Sequence, residues 1–153
     1  NLRDHWQIYL PVLFFSFLFM IPIIIFSEKF NKIKIAFLSA IIILFLAQLV
    51  FIIFGHSLVG IILALLIYFV GFNFLEASLP SLVSKIAPIN KKGLALGVYN
   101  TSQSLGIFVG GALGGLITKV YGYNASFIFC IALIFLWFVL SLGMKVGNYK
   151  KAN

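Results

Sequence analysis

Acidic side chains are almost missing from this chain. Asp and Glu account for three of 153 residues, and all charged residues together for 9%, against about 25% in a soluble domain. A soluble fold of this size covers its core with polar side chains, and so few charges exclude that arrangement. Cysteine is scarcer still: Cys130 stands alone, which excludes an internal disulfide, a CxxC pair and the usual thiolate metal site. Within its apolar run, Cys130 reads as a small packed side chain. Stretches that alternate apolar and polar over about ten residues are also lacking, which excludes a transmembrane β-barrel. The net charge of +8 does not gather into a patch or stripe on a polar face, so nucleic acid is not an expected partner. No basic leader precedes the first apolar run, which at about 20 residues exceeds a signal-peptide core. The chain also opens on Asn1 rather than Met, and the expectation is a fragment or a chain whose start has been lost.

What the chain has in abundance is apolar length. Apolar residues make up 63% of it and the mean hydropathy is +1.17, so the solvent for most of the surface is lipid. About 20 mostly apolar residues cross a hydrocarbon layer of about 30 Å. Five segments reach that length, at about 6–26, 35–54, 58–84, 94–118 and 125–144. The predicted fold is therefore all-α, a polytopic membrane bundle of five transmembrane helices. Basic residues follow an alternating pattern across the gaps. One set of gaps holds Lys29, Lys32, Lys34, Lys85, Lys91, Lys92, Lys145, Lys150 and Lys151, and the other only Arg3 and Lys119. Basic loops stay cytoplasmic, which predicts an N-terminus outside and a C-terminus inside. Gly55-His56-Ser57 and Gly122-Tyr123-Asn124 read as tight external turns. The Lys residues after Met144 read as an orientation signal.

Glu76 is the one charge inside a span, and a carboxylate there normally faces the bundle interior, a partner or a water-filled path. It lies about 27 Å from Leu58 and about 13 Å from Lys85 at helical rise, nearer the predicted cytoplasmic face. Two readings stand side by side: a proton-coupling or cation-binding group, and a structural Glu paired with a Lys or Arg of another helix. Asn73 and Pro80, three before and four after, share its helical face. Pro80 leaves the Glu76 carbonyl without its helical donor and is expected to bend the helix. The fourth span carries Gly97, Gly106, Gly110, Gly111, Gly114 and Gly115, whose small-xxx-small spacings let a neighbouring backbone approach closely. These glycines read as a packing surface, since no strand precedes them as a phosphate loop requires. Tyr99, Asn100 and Gln103 add a polar patch, and Gln48 stands nearly alone in the second span. Each of these either lines a cavity or bonds between helices. His5 and His56 have no ligand-type residue at useful spacing, so no metal and no cofactor is expected. No nucleophilic triad or carboxylate pair can be assembled, so an enzyme is not expected either.

Two stretches carry a resemblance. Ser27-Glu28-Lys29-Phe30-Asn31-Lys32-Ile33-Lys34 is similar to a degenerate D-R-x-G-R-K loop, with Glu28 in the acidic place, Lys29 and Lys32 in basic places, and Asn31 where Gly is preferred. Pro88-Ile-Asn-Lys-Lys92-Gly93-Leu-Ala-Leu-Gly97 matches P-x-x-x-[KR]-G-x-A-x-G, within a longer stretch running from Glu76 to Gly106. On these residues the chain resembles the C-terminal half of a major facilitator superfamily transporter, nearest its YajR-like branch of drug/proton antiporters. The resemblance implies that residues 1–153 are a partial C-terminal transmembrane domain, helices eight to twelve. It implies partners in the lipid bilayer, a small-molecule substrate, protons and a missing N-terminal half. It implies a bacterial inner membrane and proton-coupled efflux of drugs or small metabolites. On this reading Glu76, Asn73, Gln48, Asn100 and Gln103 attend the cavity, and the helix end at Lys92 and Gly93 attracts a carboxylate of the other half. The alternative is a non-transporting remnant or a helix-binding membrane subunit.

Overall fold

The computed structural model describes residues 6–30 and 32–144, apart from the side chains of Gln7 and Glu28. Arg3, His5, Asn31, Lys145, Lys150, Lys151 and the Glu28 side chain, all invoked above, lie outside the described residues. Among the described residues the chain is helical throughout, with α1 Trp6–Lys29, α2 Ile33–Phe54, α3 Leu58–Ile86, α4 Lys92–Tyr121 and α5 Tyr123–Leu142. A 3-10 turn, Ile89–Lys91, precedes α4. All five helices are long and apolar enough to cross a membrane, and hydrocarbon demands helices because each backbone donor and acceptor must be met within the segment.

The connections are short and each has a local cause. Ser57 caps α3, its Oγ accepting the Gly60 N–H at 3.0 Å, as a serine in the cap position does. Between α4 and α5 the link is Gly122 alone, at φ 84°. A side chain would crowd that left-handed backbone, and glycine does not. The external turn expected over Gly122-Tyr123-Asn124 is therefore a single residue, with Tyr123 already opening α5. α4 likewise extends beyond 94–118 at both ends. α3 is one continuous helix through Pro80.

α3 sits at the centre, packed most extensively on α2 and α1, while α2 also packs on α5. The core cluster is Met20, Phe37, Ala40, Ile41, Leu44, Phe74 and Leu75, contributed by α1, α2 and α3. Lipid tails are as apolar as these side chains, so association rests on close packing rather than on water exclusion. Gly71 shows how close: a methyl group built there would stand 3.1 Å from both the Ala40 carbonyl oxygen and Ile43 Cγ2. At one end of the bundle Lys34 Nζ donates to the Leu142 carbonyl at 2.9 Å, placing a cation on the C-terminus of α5, where the helix dipole favours it. Near the other end Ser126 Oγ and Thr118 Oγ1 both donate to the Gly114 carbonyl, joining α5 to α4.

α4 is the outlier. It touches α5 and α3 but buries no residue. Gly71→Val should force α2 and α3 apart at their closest point and cost about 1–3 kcal/mol; a thermal unfolding midpoint in detergent unchanged from wild type would refute that contact.

Candidate functional site

Four helices, α2 to α5, enclose an open cleft of about 770 Å³. α3 sends Tyr68, Phe72, Leu75, Glu76 and Leu79 into it, a run recurring at the three- and four-residue steps of one helical face. α4 contributes Tyr99, Ser102, Gln103 and Gly106, α2 Leu44 and Gln48, and α5 Cys130, Leu133, Ile134 and Trp137. The wall is chiefly apolar and aromatic, with a few polar groups set into it. That is the usual make-up of a small-molecule site.

Glu76 is the charged member. Gln103 Nε2 donates to both of its carboxylate oxygens, at 2.9 and 3.0 Å. Among the described residues the hydrogen-bond partner of this carboxylate is thus a neutral amide from α4, not a lysine or arginine. An amide carries a donor and an acceptor, so Gln103 can serve a carboxylate by donating and a protonated carboxyl by accepting. The same bond is a principal polar tie between α3 and α4, which otherwise meet sparsely.

Gln48 is 7% exposed on the α2 side of the cleft. Its Oε1 has no hydrogen-bond partner among the described residues. Asn73 does not line the cleft: its amide donates to Ser16 Oγ of α1 at 2.9 Å, and Ser16 in turn donates to the Leu13 carbonyl at 2.7 Å. Three residues of helix turn the chain by about 300°, leaving about 60° between Asn73 and Glu76, enough for them to meet different neighbours. Asn100 is exposed and outside the cleft although one turn from Gln103, because α4 turns a different face inward.

The glycines of α4 face open space. A methyl group built on Gly97, Gly106, Gly110, Gly111, Gly114 or Gly115 would meet nothing within 4 Å. Ser126 of α5 reaches the Gly114 carbonyl, but among the described residues nothing stands where side chains at these six positions would begin. Gly93 is equally open, one residue into α4, whose N-terminus falls at Lys92. Lys29 and Lys32 are exposed at the link between α1 and α2.

Most of the cleft wall, including its apolar residues and Ser102, escaped the reading of the sequence. Cys130, taken there as a packed side chain, lines the cleft, and so do Tyr68 and Trp137. In helices apolar all round, periodicity marks no inward face, and only the aromatic bodies with one polar tip hinted at these positions.

The sequence matches the Major Facilitator Superfamily over residues 5–151. The chain belongs to that superfamily. It is 34% identical over 146 residues to the inner membrane transport protein YajR of Escherichia coli K12, covering 95% of this chain and 32% of that protein. An uncharacterized transporter of Buchnera aphidicola subsp. Baizongia pistaciae is 35% identical over 136 residues, 88% of this chain and 34% of the relative. Multidrug resistance protein MdtG of Proteus mirabilis is 30% identical over 69 residues, 45% of this chain and 17% of the relative. The chain thus spans about a third of the length of the first two relatives. No solved structure matches it significantly.

The Glu76–Gln103 bond is open to a direct check. In a double-mutant cycle with Glu76→Ala and Gln103→Ala, the two losses of stability should fall short of additivity by about 0.5–1 kcal/mol, the scale of interhelical hydrogen bonds in membranes. Strict additivity would remove the bond from the account.

Proposed function

We propose that this chain supplies helices eight to twelve of a major facilitator transporter, in the C-terminal transmembrane domain, and that the whole protein exports drugs or small metabolites in exchange for protons. The observation that carries the reading is Glu76, a carboxylate deep in a span that opens on a cleft and is held by a neutral amide. With no fixed countercharge in that bond, the carboxylate is free to take either a proton or a cationic substrate, and competition between the two couples their movements. Tyr99, Tyr68 and Cys130 are the other titratable groups in the cleft. The names of YajR, an inner membrane transport protein, and MdtG, a multidrug resistance protein, support the reading. We place the chain in the inner membrane of a bacterium, N-terminus outside and C-terminus in the cytoplasm, on the distribution of its basic residues.

Transport by this family's architecture requires two halves rocking about a central site, so the N-terminal half is a necessary partner. The open glycine face of α4 suits it as the docking surface. The same face supports the second reading, a non-transporting subunit that binds helices of another protein.

In the complete gene product Glu76→Gln should abolish pH-dependent efflux while leaving the amount of protein in the membrane unchanged; efflux that keeps its pH profile would sink the assignment. Gly110→Leu separates docking from folding. The Cβ it adds meets nothing within 4 Å among the described residues, so the thermal stability of the chain alone should hold, whereas efflux by the complete protein should fall about tenfold or more. Equal efflux would place the interdomain contact elsewhere.

A further inference from the structure

Gln48 is the cleft residue that proton exchange at Glu76 leaves without a task. Every other α2 residue from Ala40 to Phe54 is apolar, so leucine would suit the packing there and carry no desolvation cost. Instead the position holds an amide, 7% exposed, with an oxygen that no described residue satisfies. A buried acceptor without a donor is expensive and calls for an explanation.

Its position relative to Glu76 follows from the packing of α2 against α3. The two helices are antiparallel, and Gly71 lies on the Ala40 carbonyl. Counted along both helices from that contact, Gln48 stands level with Leu63, about 13 residues or 20 Å from Glu76 at helical rise. Each side chain leans toward the N-terminus of its own helix, and so toward the other, which shortens the gap to about 15 Å. Tyr68, Phe72, Leu75 and Trp137 line the wall between them, an apolar surface whose aromatic faces attract a cation.

We propose that the cleft takes an elongated organic cation with a hydrogen-bond donor at its far end. The charged nitrogen sits at the Glu76 carboxylate, the apolar body lies along the aromatic wall, and a hydroxyl, amide or second amine donates to Gln48 Oε1. The proposal rests on the reading of Glu76 as the coupling carboxylate and adds the residue that selects for length and a terminal donor. A cation of the same length without that donor binds more weakly, because it leaves unmet a buried amide oxygen that the terminal hydroxyl would satisfy.

Aminododecanol and dodecylamine make the comparison, having the same head and chain and differing in one terminal hydroxyl. Their binding to the complete gene product in lipid nanodiscs, measured by equilibrium dialysis and corrected for empty nanodiscs, should favour aminododecanol about tenfold. Gln48→Met keeps the side-chain length and should bring that ratio to about one, with dodecylamine binding unchanged. Glu76→Gln should weaken both amines alike. A ratio of one in the wild type, or a tenfold ratio that survives Gln48→Met, overturns the Gln48 contact and leaves cation binding at Glu76 standing. Failure of both amines to bind, or binding indifferent to Glu76→Gln, overturns the transport reading with it. The wild-type comparison requires no variant, so it decides the matter even where Gln48→Met does not assemble.

Discussion

Hydrocarbon provides no hydrogen bonds, and the rest of this structure follows from that lack. Backbone groups must be satisfied within each segment, so every long apolar stretch is a helix. Because helices in lipid gain nothing by hiding apolar surface from one another, their arrangement depends on shape and on a few polar ties. Gly71 against Ala40 is the shape term, bringing α2 and α3 close enough to form the core around Phe74 and Ile41. The polar ties are few and placed between helices: Asn73 to Ser16, Gln103 to Glu76, Lys34 to the end of α5, and Ser126 to Gly114.

These ties divide the molecule into a tight part and a loose one. α1, α2 and α3 share the buried cluster, whereas α4 buries nothing and, among the described residues, is tied by the Gln103–Glu76 bond to α3 and by Ser126, through Gly114 and Thr118, to α5. The loose part carries both the glycine face and one wall of the cleft. A helix that must shift against a partner during a transport cycle benefits from this arrangement, since small residues let backbones slide and a single polar contact can be remade. On the function proposed above, chemistry and movement would meet on α4, where Gln103 touches the carboxylate and a methyl group built on the glycines meets nothing.

Much of the fold is legible from composition and run length. Five long, mainly apolar stretches in a chain with three acids admit one architecture, and the family follows from the Pro88 to Gly97 stretch together with the glycines beyond it. The site was legible in part. Glu76 announced itself because an intramembrane carboxylate is costly, and Gln103 and Gln48 because polar side chains are rare there. Asn73 was grouped with Glu76 by spacing, and the grouping failed since a 60° offset on α3 is enough to turn one toward α1 and the other toward α4.

What the sequence by itself determined is therefore what depends on one segment at a time: which stretches span the membrane, which are links, and which residues are too polar for their depth. Those are free energies of transfer between water and lipid, and each is a property of the local run. What only the tertiary structure decided is which faces meet. Cys130, Tyr68 and Trp137 became cleft residues, Asn100 stayed outside, and the α4 glycines met nothing. When a helix is apolar on every side, lipid and protein interior are nearly equivalent surroundings for it, so its orientation is settled by small residues and single hydrogen bonds contributed by other helices.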